Sequence, residues 1–453
     1  MLYEMYGTLH KAAKKIVRGT QDNTYRMVSV SESDIQNDMI MGEGTYFNEM
    51  SPARKIEKRK VYPVENIVPY GQFQQLSDSF HQGGDVQKNS MGVDDIHDLE
   101  LWEMFINNSI IPKGFRNEDL HYAGFIYEMD EWCLPSWIWT NAALVKMYCC
   151  RGDIQRGKTL IDRLLDKQLP CGGWIVRNDY DANGAIPVIA PNDSAYIANN
   201  ALLEMFLLSG ESQYLKAAQK CAEWIIVTAR EDGLVYIGYD VRRQKWKKDN
   251  NIVDIGFTAA LFARLYNITR EQKYLDFLQK FVERYIELFY IPKKKSFSTA
   301  LDSTNHQLGG AFTRGQAWAL EGLIPAYQVI KSEQLKEIIN NTIETLLRKQ
   351  HRNGGWPYNL QRPLMGQDCK AVSIVACSLL AWHKLFPEKM KLVSSAKRAL
   401  DWCRRHTVTE GKAVGGIFSY SVEGAIVHHL YTQTAFAYTS AYAIELKRML
   451  NEG

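Results

Sequence analysis

From about Asp98 onward the chain alternates between two kinds of helical pattern. One kind is apolar on every side. The other carries one apolar face and one charged face. Apolar stretches begin near Ser136, Asp193, Asp254, Thr313, Asp368 and Thr432, a period of roughly 60 residues. Amphipathic stretches lie between them at 154–167, 213–229, 271–289, 334–349 and 389–405. A helix apolar all round belongs where every face is covered, and a one-faced helix belongs at the surface. Breaks such as Arg151-Gly152-Asp153 and Asn267-Ile268-Thr269-Arg270 follow the apolar stretches. Glycine-bearing segments with aromatics follow the amphipathic ones, as in Gly172-Gly173-Trp174 and Gly354-Gly355-Trp356.

This alternation predicts an all-α fold, an (α/α)6 barrel of six inner and six outer helices. Only five amphipathic stretches follow the six apolar ones, so the helix near 98–108 is expected to supply the sixth outer member and close the ring. An open solenoid is the alternative, but it would need polar terminal caps. The last apolar stretch, 432–449, is rich in Ala, Tyr and Leu instead, which favours closure. Residues 1–96 show no such pattern and read as an irregular N-terminal extension, with 97–453 as the barrel. The basic runs at 11–18 and 54–60 in that extension are solvated faces.

Composition narrows the function classes. The 453 residues carry a formal charge of +3, which favours neither nucleic acid nor an anionic membrane. No apolar run has the length of a membrane span, and the first ten residues lack the apolar core of a signal peptide. The eight cysteines include no CxxC spacing and read as buried thiols of a reducing, cytoplasmic setting. No metal or cofactor motif stands out, so none is expected. The 11 Trp and 24 Tyr suit both a core and a sugar-binding cleft. Nothing in the pattern specifies the oligomeric state.

In such a barrel the inner helices run the same way, so their N-terminal ends meet at one mouth. The polar residues fall there: Asn192 and Asp193, Asp254, Arg314 and Gln316 with Trp318, and Asp368, with Trp137 and Trp139 at the first inner helix. Each aspartate has a plain reading as a helix N-cap. A buried Arg314 has a plain reading as a structural ion pair. Taken together, carboxylates in an aromatic cleft are the equipment of glycoside chemistry. Apolar Ile252, Val253, Ile255 and Phe257 flank Asp254, and desolvation would favour its protonated form, that of a general acid. Asp193 has more polar neighbours and is expected to stay ionised. Arg314 and Gln316 could hold a sugar carboxylate, and the tryptophans offer flat faces to sugar rings. His428-His429 precedes the sixth inner helix. Adjacent histidines make a poor metal site on a helix, so His429 is kept as a substrate contact.

The residues Trp137-Ile138-Trp139-Thr140-Asn141, Asp193, Ile252-Val253-Asp254, Thr313 to Trp318 and Asp368 to Leu380 resemble the unsaturated glucuronyl hydrolases of glycoside hydrolase family 88, with family 105 a close relative. The resemblance implies an (α/α)6 barrel acting on an oligosaccharide that ends in a 4,5-unsaturated uronate. It implies Asp254 as acid and base, Asp193 as its assisting carboxylate, and Arg314, Gln316 and the tryptophans as substrate contacts. Asn192 stands where that family usually has His. A polysaccharide lyase or uronate epimerase on the same fold, and a glycan-binding barrel without catalysis, are the competing readings, since fold does not fix function.

Overall fold

The computed structural model describes residues 94–452 apart from 114–117, 123, 127–130, 133–137, 182–183, 249, 309, 368 and 418–433. The extension therefore lies outside the described residues up to position 93, and so do Trp137, Asp368, His428 and His429.

The chain enters the described region through helix α1 (Asp94–Asn108). Inner and outer helices then alternate. The inner ones are α2 (Ile138–Cys150), α4 (residues 191–209), α6 (Thr258–Thr269, preceded by a 3-10 turn, Val253–Phe257), α8 (Thr313–Ile330), α10 (Cys369–Leu385) and α12 (Ala437–Asn451). The outer ones are α3 (Ile154–Asp166), α5 (Ser212–Thr228), α7 (Gln272–Phe289), α9 (Glu333–Lys349) and α11 (Met390–Arg405). Each inner helix packs on the next, and α12 packs back on α2, so the ring is closed. Helix α1 packs on α12 and is the sixth outer helix, as the pattern predicts.

The burial follows the pattern. Residues 369–380 of α10 are buried without interruption, while α7 buries Tyr274, Leu278, Phe281, Val282, Tyr285 and Phe289 along one face. Outer helices α3 and α9 are capped by Asp153 and Ser332, whose side chains accept from Arg156 N and Leu335 N. Helix α4 is α-helical over Pro191–Ile197, π-helical over Ala198–Leu203 and α-helical again over Glu204–Ser209. The glycine-rich returns are a repeated device. Gln168 donates to Gly172 O and Ala217 O, while Trp174 Nε1 donates to Leu164 O at 2.8 Å. At the equivalent place Gln350 donates to Gly354 O and Ser395 O, and Trp356 Nε1 donates to Leu346 O at 2.8 Å. In both copies the Trp closes the last turn of an outer helix and is fully buried, so these two tryptophans are core.

The returns also carry short antiparallel strands, all at the end of the barrel where inner helices begin. One sheet orders Ile175–Asp181, Gly184–Ile189, Tyr239–Asp240 and Lys245–Trp246 side by side, and Gly184–Ile189 leads into α4. Asn250–Ile252 pairs with Ala300–Asp302 and runs straight into the turn that bears Asp254. Gly124–Ile126 pairs with Thr434–Phe436, which joins the entrances of the first and last inner helices.

Candidate active site

Three consecutive inner helices begin with the charged residues. Asp193 sits in the first turn of α4, Asp254 in the 3-10 turn before α6, and Arg314 in the first turn of α8. The turn bearing Asp254 packs against both α4 and α8. Its placement has a specific cause. Tyr285 of α7 donates its hydroxyl to Val253 O at 2.7 Å. A Cβ on Gly256 would lie 2.5 Å from that hydroxyl, a Cβ on Gly315 would lie 2.6 Å from Val253 Cγ1, and a Cβ on Gly322 would overlap the carbonyl oxygen of Gly256. Three glycines therefore let α7 and α8 press directly on the backbone that carries Asp254.

Asp193 is buried and accepts a hydrogen bond from Asn192 Nδ2 at 3.0 Å. Asp254 is only half-buried, although its Oδ1 atom is enclosed. This reverses the order of exposure that the flanking residues suggest. Ile252, Val253, Ile255 and Phe257 are indeed buried, but that burial does not extend to the whole Asp254 side chain. Arg314 is 2 % exposed, and its guanidinium lies 4.8 Å from the Trp318 ring and 5.7 Å from that of Phe312.

Gln316 lies at the same helix start but faces another way. Its Oε1 accepts from Phe297 N at 2.7 Å, and its Nε2 donates to Phe297 O and Phe312 O, each at 3.0 Å. Both ends of the carboxamide are thus spent on backbone. Gln316 clips the strand Ser296–Phe297 to the start of α8 and positions Arg314 rather than reaching toward a ligand.

Beneath the charged residues lies a layer of aromatic rings. Tyr438 meets Trp139 at 5.2 Å, Trp139 meets Tyr196 at 5.9 Å, Tyr196 meets Phe257 at 5.1 Å, and Phe257 meets Trp318 at 6.2 Å. Five of the six inner helices contribute one ring each. Trp139 and Trp318 were legible as candidates because each is a tryptophan near the start of an inner helix; Tyr196, Phe257 and Tyr438 carry no such signal alone. The sixth, α10, contributes Lys370, which is buried with its ammonium 4.5 Å from the Phe436 ring. A polar chain lies below this layer. Tyr196 and Tyr442 hydroxyls are 2.6 Å apart, and Tyr442 donates to Glu321 Oε1 at 2.9 Å. Lys146 pairs with Glu445 at 3.1 Å. Burial raises the Glu321 carboxyl above its ordinary pKa, against the opposing pull of Lys146. Among the described residues no group of His, Cys, Asp and Glu could hold a metal ion, and no helix is long and apolar enough to cross a membrane.

A closed helical ring with carboxylates, a buried guanidinium and an aromatic floor at one mouth defines the class of (α/α)6 carbohydrate-active enzymes. The sequence places it further. Residues 135–449 match the model of Glycosyl Hydrolase Family 88, and the chain belongs to that family, a glycoside hydrolase. Among solved structures, an unsaturated glucuronyl hydrolase specific for heparin is similar, with TM-score 0.62 and 14% identity over 80% of this chain and 98% of that one. An unsaturated glucuronyl hydrolase from Bacillus sp. GL1, responsible for the degradation of glycosaminoglycan, has TM-score 0.58 and 15% identity over 78% and 95%. A sugar epimerase from a ruminal bacterium has TM-score 0.64 and 14% identity over 80% and 99%. No curated protein matches the chain.

Proposed function

We propose that the chain removes a 4,5-unsaturated uronate from the non-reducing end of an acidic oligosaccharide, the kind of end that a polysaccharide lyase leaves. The observation that carries this reading is the run of three neighbouring helix starts bearing Asp193, Asp254 and Arg314 above an aromatic floor. Asp254 protonates C4 of the vinyl ether. The same carboxylate then takes a proton from water, which adds at C5. The hemiketal so formed opens and frees the remaining sugar. The half-exposed Asp254 suits the group that must touch substrate, and the buried, Asn192-held Asp193 suits a fixed partner. Asn192, proposed from the sequence as a substrate contact, gives one hydrogen bond to Asp193. Arg314, 4.8 Å from the Trp318 ring, offers a planar fork to the uronate carboxylate. Helix N-termini at the mouth favour that anion as well. Trp139 and Trp318 form the apolar floor. Trp137, Asp368 and His429, outside the described residues, remain proposed substrate contacts on the sequence alone.

The names of the two glucuronyl hydrolases support a uronate substrate, and a lyase or uronate epimerase on the same fold is the competing reading. One experiment separates these. A lyase-generated unsaturated disaccharide is followed by the ultraviolet band of its vinyl ether. Hydration abolishes the band; a lyase acting on a saturated polymer creates it, and an epimerase leaves it unchanged. Asp254→Asn should slow single turnover by about a hundred- to ten-thousand-fold with substrate affinity kept. Asp193→Asn should slow it less or weaken binding too. Full activity in both variants would sink the assignment.

A further inference from the structure

The hairpin Tyr239–Asp240 and Lys245–Trp246 takes no part in the chemistry above, yet it is built with care. Between positions 239 and 249 the chain places Arg242, Arg243, Lys245, Lys247 and Lys248 beside two acids, Asp240 and Asp249, and Lys245 and Lys248 are exposed. Asp240 is buried and spent on the turn: it accepts from Arg243 N at 2.8 Å and pairs with the Arg243 guanidinium at 3.6 Å. The half-buried Trp246 is held on three sides, by Tyr236 at 5.1 Å and 23°, by Trp224 of α5 at 6.2 Å and 30°, and edge-on by Tyr239 at 5.1 Å. Lys248 stands 5.9 Å from the Tyr236 ring. Asp240, Arg243, Lys245, Trp246, Lys247 and Lys248 line a concavity of about 480 Å³.

Lysines alone would suffice to blunt an exposed sheet edge. They do not require a stacked aromatic floor or a hollow. Cations around flat rings are instead the composition that receives an anionic sugar chain, whose carboxylates or sulfates meet the cations and whose ring faces meet the indole. The location agrees. Tyr239–Asp240 pairs with Gly184–Ile189, the strand that leads into Asp193, and the hairpin is followed directly by Asn250–Ile252, the strand that leads into Asp254. The hollow is thus tied through one sheet and one strand to both catalytic helix starts, on the mouth side of the ring.

We propose that this hairpin is a separate platform for the acidic remainder of the substrate chain, the sugars on the reducing side of the residue that is removed. The proposal rests on the uronate reading above, and its consequence is length dependence. A disaccharide leaves the platform empty, and a longer acidic chain occupies it.

The test uses the full-length enzyme, lyase-generated unsaturated di- and hexasaccharides of an acidic polysaccharide, and the exposed double variant Lys245→Ser/Lys248→Ser. The variant should raise KM for the hexasaccharide about five- to tenfold, leave kcat unchanged and leave the disaccharide kinetics as they were. Added salt should remove the difference, since exposed charges are screened. Trp246→Ala should do the same without the salt dependence. Calorimetric binding of a saturated hexasaccharide of the same polymer, with a neutral hexasaccharide as control, reads the platform without any turnover. If the enzyme does not act on unsaturated uronates but still binds the saturated acidic chain through Lys245 and Lys248, the function above fails and the platform stands. Equal effects on di- and hexasaccharide, or unchanged binding of the saturated chain in both variants, would overturn it.

Discussion

Replacing Gly322 with alanine tests whether the close approach of α8 is what places Asp254. The new methyl would overlap the carbonyl oxygen of Gly256, stand 2.7 Å from its carbonyl carbon and 3.1 Å from Phe257 Cα. All three are backbone atoms, so no side chain can swing aside. Carbon atoms in contact rest about 3.5 Å apart, so α8 and the Asp254 turn must separate by roughly 1 Å. Overpacking of this kind costs about 1–3 kcal/mol of stability. The larger effect falls on catalysis, because a displacement of about 1 Å at a reacting group costs on the order of a hundredfold in rate. The expected outcome is a folded enzyme, melting a few degrees lower, with single turnover slowed about a hundredfold on an unsaturated disaccharide. Gly210→Ala is the control. Gly210 has φ 70°, a Cβ there would meet nothing within 4 Å, and the residue ends α4 at the far side of the barrel. It should cost about 1 kcal/mol through backbone strain and leave the rate intact. Wild-type turnover in Gly322→Ala, or an equal loss in Gly210→Ala, would refute the link between this contact and the site.

Arg314→Lys should lower kcat/KM on a uronate substrate by tenfold or more with the melting temperature nearly kept, because an ammonium cannot copy the guanidinium fork or its stacking on Trp318; full activity would exclude the fork. Gln316→Leu leaves Phe297 N, Phe297 O and a bond to Phe312 O unmade, so denaturant unfolding should show a loss of at least about 2–3 kcal/mol. His121 is buried beside Ser109, and desolvation lowers its pKa to about 4, partly opposed by its bond to Ile106 O. The unfolded chain then takes up a proton that the fold refuses, so stability is complete above about pH 6.5 and falls as pH drops from there toward 4, by at most on the order of 3 kcal/mol. His121→Asn should flatten that part of the stability profile, and an unchanged slope would show that other groups cause it.

The ring was open to reading because a doubly covered helix is mostly apolar on every side, and 369–380 is buried along its whole length with only Lys370, Ser373 and Ser378 polar. The same logic found the outer partner at the chain start, since a closed ring has no other way to cover α12. The exposure of Asp254 was not readable. Neighbouring apolar residues report the burial of their own side chains, and in a tight 3-10 turn consecutive side chains point in different directions. Gln316 misled for a related reason: a carboxamide two residues from a buried arginine looks like part of the same ligand set, but its partner is a strand 19 residues earlier. The basic hairpin was passed over because lysines on a surface are common, and only the packing of Trp246 against rings from two elements sets it apart.

Ring closure and the charged helix starts use different parts of the ring. The seam joins the two ends of the barrel sequence: Trp102 of α1 donates to Thr407 at 2.9 Å, Arg404 pairs with Asp98, and Gly415, at φ 85°, lies so close to Leu101 that a Cβ there would overlap its carbonyl oxygen. The charged helix starts belong to α4, α6 and α8, three consecutive members lying across the ring from α12. Their geometry is set by contacts between adjacent elements of the ring, Tyr285 with Val253 and Gly322 with Gly256. Contacts at the seam are long-range and hold the circle shut. A loosened seam therefore lowers the stability of the whole ring before it disturbs Asp254, whereas a single methyl between α6 and α8 disturbs Asp254 while the ring stays closed. The glycines at 256, 315 and 322 carry no functional group, yet they set how closely α7 and α8 approach the turn that bears Asp254.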